Sequence, residues 1–545
     1  MKKTVKLLIV MQLLILFGIS SCKKDEVFIN NDTSLHQEVK QNPEGKIVLG
    51  KKLKNAYSVE NMRKAYESLK AQNKLKSISS DEIDIRANCL YVRFLPKDST
   101  DLNILWNDTS LELFDYPLDY EIKEEGYYYQ DPDIPKGQPT WQYTVVPVDY
   151  VFPDIEHEVI EECFIPDEDS EEKKLKSSDY KNLLAAIEYE SMKLTDNLTA
   201  EEKEQSNLKS WGWWPSKKNP TGYIKVYNTS KGLEGVMRVK VRTHRIVNIS
   251  STYTNENGYY RIPRGYRFNN VHYALIFKNA TGFKIWGNWA FLAPARYNMG
   301  WHSKTGYSKE IYTNSKAWLW STVNNGTYIY REKLCPKFGI NKPPSSLRLW
   351  TVRSGGENLG SAPMARQISL SSSSLHDLLI GLGVTWGTWY MSLVMPDIFI
   401  IKNFKNTKEA YSTIFHELSH ASHYTKAGKW YWLKYIAGII DNGGDYGDGT
   451  GGNDGYIGVG EMWGNYFGYI CEKYYFGSAG LGGTNDWYQP FILYDIDNNI
   501  YGMTPHKIFT CLQSNVRSHQ ELKSKLISYY GHSSQINQIF SNYGF

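Results

Sequence analysis

One segment, Tyr411-Ser-Thr-Ile-Phe-His-Glu-Leu-Ser-His-Ala-Ser-His-Tyr424, constrains this chain more than any other. On an α-helix, residues four apart stand one above the other on the same face. His416 and His420 can therefore close on a single zinc ion, and Glu417 can reach a water there as general base. The chain has only 12 histidines, so their crowding here does not follow from composition.

Two imidazoles leave a tetrahedral site short of one protein ligand. Glu461 is the candidate third, in Gly458-Val-Gly-Glu-Met-Trp-Gly-Asn-Tyr-Phe-Gly-Tyr-Ile470, where apolar spacing predicts a second helix. The predicted metal set is thus His416, His420 and Glu461, with Glu417 catalytic. His423 falls almost a turn beyond His420, which suits a supporting or surface role. Asp441, Asp445, Asp448 and Asp454 also lie between the two helices, without the short motif that aspartate ligands would need. An oxyanion formed at such a site needs a further donor. Tyr456 and Tyr466 are the expected catalytic donors, with His506 as a third option.

These residues resemble the gluzincins, the thermolysin-like zinc metallopeptidases with two histidines and a downstream glutamate. The resemblance implies a zincin-like α+β domain, with His416, His420 and Glu461 as ligands and Glu417 as water-activating base. Where thermolysin-like enzymes place a carboxylate to orient a ligand histidine, this chain has Asn465. The metzincin pattern is not met, since His423 and Lys426 stand where it needs glycine and histidine.

The N-terminus starts basic, continues apolar from Leu7 to Ile19, and ends Ser20-Ser21-Cys22. That reads as a secretory signal too short for a membrane span. Small residues ending on cysteine resemble a bacterial lipobox, which implies a lipidated Cys22 and an outer-membrane anchor. Lys23-Lys24-Asp25-Glu26 resembles the surface-export signal of Bacteroidetes lipoproteins. The five remaining cysteines show no CxxC pattern and read as buried free thiols. A net charge of +4 over 545 residues, with no basic stripe, gives no reason to expect nucleic-acid binding.

The expected organisation is multidomain. Residues 1–21 form the signal and 22–80 a tether with a helical segment. A small β-rich module covers 81–175, and its string Leu113-Phe-Asp-Tyr-Pro-Leu-Asp-Tyr120 resembles Bacteroidetes surface lipoproteins with a zincin domain. A helical linker spans 176–212. Alternating strands over 213–295 resemble a carboxypeptidase-regulatory or prealbumin-like β-sandwich, and 296–545 is the metallopeptidase domain. Within the last, 361–366 is expected to form an edge that lines the substrate groove. The Gly- and Asp-rich run 441–455 can wrap calcium, although its spacing fits neither the EF-hand loop nor a nonapeptide repeat and its plain reading is a mobile glycine loop that could act as a lid.

The expected function is that of a lipid-anchored surface zinc metallopeptidase acting on extracellular proteins, peptides or glycoproteins. The alternative is a non-catalytic surface lipoprotein that binds glycans or proteins through its aromatic residues.

Overall fold

A computed structural model describes residues 45–545, except 75–82, 136–137, 167–177, 209–213, 288–292, 314, 354–358, 385–393 and 483–485. The signal, Cys22 and the charged cluster after it lie outside the described residues. Among those described, no helix is long and apolar enough to cross a membrane.

The chain is multidomain, of mixed α and β content, with several sheets. The largest has eight strands. Its main path runs Leu359–Ser361, Ile398–Ile401, Arg348–Val352, Lys284–Trp286, Val271–Asn279, Val239–Arg245 and Asn248–Tyr253. Arg296–His302 also pairs with Val271–Asn279. Arg348–Val352 and Ile398–Ile401 are buried along their whole length and pair in parallel, as suits strands covered on both faces. Leu359–Ser361 closes the path as an antiparallel end strand. The expected edge at 361–366 is thus strand only at its start, and Ala365–Ile368 turns helical.

Strands on either side of residue 295 share sheets. Lys284–Trp286 pairs in parallel with Arg348–Val352, and Lys309–Ile311 pairs in parallel with Thr221–Asn228. Alternation in sequence reports which residues form strands and is silent on which strands pair. Nearer the N-terminus, Gln142–Pro147, Cys89–Phe94 and His157–Cys163 form a three-stranded antiparallel sheet. Leu111-Glu-Leu-Phe114, in the same β-rich module, makes only an isolated bridge from Phe114 to Tyr143.

Four helices position the site: α1 (Lys316–Ile329), α2 (Thr407–Ala427), α3 (Lys429–Asp441) and α4 (Asp454–Phe476). Asn406 caps α2 by accepting from the Glu409 amide at 2.8 Å. The buried stripe of α2, Ile414, Phe415, Leu418 and Ala421, faces α1 and α4. Each fully buried large apolar side chain contributes roughly 1.5–3 kcal/mol. That outweighs the cost of burying Ser419, whose hydroxyl donates to the Phe415 carbonyl at 2.6 Å. Trp463 of α4 donates its indole N–H to the Ser419 carbonyl at 3.0 Å, which sets the two helices side by side.

Candidate metal centre

On α2, His416 and His420 face the same way, with their Nε2 atoms 3.0 Å apart. Glu461 on α4 meets both, Oε2 lying 3.5 Å from His416 Nε2 and Oε1 3.3 Å from His420 Nε2. Among the described residues this is the one cluster of His, Cys, Asp and Glu able to hold a metal ion. Ligand atoms each 2.0–2.1 Å from a tetrahedral zinc stand about 3.4 Å from one another. The three separations fit that requirement.

His420 and Glu461 are 2% and 1% exposed and His416 is 21% exposed, so the centre opens to solvent on the His416 side. Burial works against a charged Glu461, yet the imidazoles of His420 and His416 hold its carboxyl well below the usual range. Burial likewise opposes a charged His416, but its contact with Glu461 and the charges of Glu417 and Glu461 raise it overall. The cluster is therefore an anionic ligand with two imidazoles, a donor set that suits zinc.

The close approach depends on Gly464, one turn after Glu461. A Cβ there would sit 2.6 Å from His420 Cε1 and 3.1 Å from His416 Cε1. Glu417 points to the end strand of the sheet, where a Cβ on Gly360 would come within 2.5 Å of its Oε1. Burial raises the Glu417 carboxyl, only partly offset by His416 and His420. A base with a raised pKa is better matched to proton transfer near neutrality.

Support for the ligands falls on the glutamate. The Tyr435 phenol on α3 donates to Glu461 Oε1, and Trp432 stacks on Tyr435 at 4.8 Å. Trp432 in turn donates to the Ala362 carbonyl at 3.0 Å, tying α3 to the chain just after the end strand. Asn465 donates to the Glu461 carbonyl, and among the described residues no hydrogen bond joins it to His416 or His420. His420 Nδ1 is buried without a hydrogen-bond partner among the described residues. His423 is fully buried against Tyr431 and Trp432, so the surface role is ruled out.

The structure does not bring the expected donors Tyr456 and Tyr466 to the metal cluster. Tyr456 packs on Tyr431, with its hydroxyl toward Arg517. Tyr466 is buried with its phenol toward Asp497. They lie five residues before and after Glu461, where the 3.6-residue turn rotates a side chain off the ligand face. His506 is engaged with the Gly339 carbonyl at 2.7 Å.

Of the loop residues, Tyr446 is the tyrosine whose phenol feels the charge of the cluster. The charges of Glu461 and then burial, with Glu417 adding to them, raise its phenol well above the ordinary value. Its hydroxyl thus stays protonated. It is the only aromatic residue in the glycine-rich run 441–455, a signal that could have singled it out.

That run is organised by hydrogen bonds. Asp454 accepts from the Asn442 side chain and from the amides of Gly449 and Gly451. Asp448 accepts from Thr450, and Asp445 from the Tyr446 amide. These carboxylates cap turns and do not converge on a point, so the calcium expectation finds no cluster to hold the ion.

Comparison with protein-family models, curated proteins and solved structures finds no match to this chain.

Proposed function

We propose that this protein is a gluzincin-type zinc metallopeptidase, with a zincin-like domain bearing the site. In this reading it is held at the outer face of a bacterial outer membrane by lipid on Cys22. Its substrates are extracellular proteins, peptides or glycoproteins. The observation that carries the proposal is the convergence of His416, His420 and Glu461 with the buried Glu417 beside them.

Zinc bound there supplies Lewis-acid chemistry, acidifying water and polarising a peptide carbonyl. Glu417 takes the proton of the attacking water and delivers it to the departing amine. Leu359–Ser361 offers the backbone of an end strand to an extended peptide, which can add to it as a further strand. Tyr446 donates to the substrate carbonyl oxygen as that atom gains charge.

Metal content and cleavage of a peptide library, wild type beside Glu417→Gln, test the reading. The variant should retain about one zinc per chain and lose cleavage. A Glu417→Gln protein with wild-type turnover would refute it.

A further inference from the structure

The strand register gathers cations on one face of the large sheet, apart from the metal centre. Ile276 stands between Lys240 on one neighbouring strand and Arg296 on the other. Lys278 shares that face two residues on and lies directly opposite Lys284. Arg242, two residues from Lys240, completes the group. Glu112 and Asp115 face it from the chain before the first long strand of this sheet. Between them remains a cavity lined in part by Glu112, Asp115, Lys240, Arg242, Lys278 and Arg296, with about 40 Å³ of free volume.

The charges in this cavity do not balance. Glu112 accepts from Lys240 and from Ser251. Asp115 accepts from both terminal nitrogens of Arg296. Arg242 donates through Nη1 to the Leu113 carbonyl and lies over the Phe114 ring at 3.6 Å. Its Nε is buried without a partner. Neither Lys278 nor Lys284 pairs with a carboxylate among the described residues. Like charges directly opposite across two strands repel. Burial first, then Lys240 and Lys284, pushes Lys278 down to about 7. Burial with Arg348, Arg366 and Lys240 pushes Lys284 down to about 8. Residues 288–292, next to the lining residue Ala293, carry no acidic side chain in sequence.

A face built this way is relieved either by loss of a lysine proton or by negative charge entering the cavity, and the buried Arg242, which keeps its proton, favours the second. One buried water needs roughly 10–15 Å³ of such volume. The cavity is therefore large enough for a small anion. We propose that it binds a small oxyanion of phosphate, sulfate or carboxylate type, held by Lys278 with Arg242 and Lys240.

Calorimetric titration and thermal melts of the full chain with sodium phosphate, sulfate or acetate, against sodium chloride at equal ionic strength, test this. At least one oxyanion should bind saturably and raise the melting temperature beyond chloride, and the tightest of the three identifies its source. Lys278→Met should weaken that binding at least tenfold while melting in chloride no lower than wild type, because it removes repulsion. Lys284→Met is the second variant and should weaken binding in the same direction. Equal effects of all four salts would overturn the proposal. So would wild-type affinity in both variants, the result expected of an anion that sits on the metal instead. Unfolding of both variants in chloride would show that the lysines serve the fold, and would equally overturn it.

Discussion

The phenol of Tyr435 donates to Oε1 of Glu461 at 2.5 Å, so one carboxylate is held by a phenol on α3 and two imidazoles on α2. Partners of this kind orient a ligand and tune its basicity, and their loss costs about 10–100-fold in metal affinity. Tyr435→Phe removes the donor and leaves the ring on which Trp432 stacks. We expect zinc affinity to fall by about tenfold in a chelator competition, with an unchanged circular dichroism spectrum. Unchanged affinity would mean that the two imidazoles alone position Glu461.

Gly464 sets how closely α4 can approach the imidazoles. A methyl group there would overlap His420 Cε1 and crowd His416, and overpacking of this kind costs typically 1–3 kcal/mol. Gly464→Ala should therefore lose metal and lower the melting temperature together. A variant that binds zinc normally would place the two helices further apart than described above.

Gly360 stands in the same relation to the base. Its added Cβ would meet Glu417 Oε1 at 2.5 Å and Thr413 Cγ2 at 3.0 Å, with no histidine among its near neighbours. Gly360→Ala should consequently keep zinc and cut kcat, on the order of 10²-fold for a misplaced base. Metal analysis beside single-turnover kinetics separates the two effects. Parallel loss of metal and rate would make Gly360 a prop of the whole cluster.

The cluster of His416, His420 and Glu461 was legible because its spacing is periodic: two histidines one turn apart, and a glutamate inside a second helical pattern. The donors were not, since choosing among 41 tyrosines depends on rotation about α4 and on a loop path that no periodicity encodes. Tyr456 and Tyr466 looked close to Glu461 in sequence and point to Arg517 and Asp497 in space. Strand segments were readable from alternation, as with Thr221–Asn228 and Val239–Arg245 inside 213–295, while the parallel pairing of Lys284–Trp286 with Arg348–Val352 joins segments far apart in sequence. Long-range pairing of this sort is decided by packing, which a single sequence does not display.

Tyr446→Phe tests the donor role proposed for the loop tyrosine. Loss of one oxyanion donor costs about 10²–10³ in kcat with little change in KM. Zinc content should stay at the wild-type level, because among the described residues no hydrogen bond joins Tyr446 to His416, His420 or Glu461. If kcat is retained, the substrate oxygen finds its donor elsewhere and Tyr446 serves only to pack against Tyr488.

His519 gives the fold a specific acid sensitivity. Its ring is 4% exposed, stacks on Phe545 at 3.7 Å and lies 3.1 Å from the Tyr488 carbonyl through Nε2. Burial pushes its pKa down to about 4, against the weaker opposing effect of that carbonyl. In the unfolded chain it titrates near 6.5. The neutral ring is thus favoured by folding, and its contribution is complete above about pH 6.5 and is lost as the pH falls toward 4. At roughly 1.4 kcal/mol per pH unit, the loss approaches 3 kcal/mol across that window. Urea melts of wild type and His519→Gln between pH 7 and 4 should converge as the pH falls, since glutamine has no proton to gain. Curves that stay parallel would show that the ring is accessible enough to protonate within the folded protein.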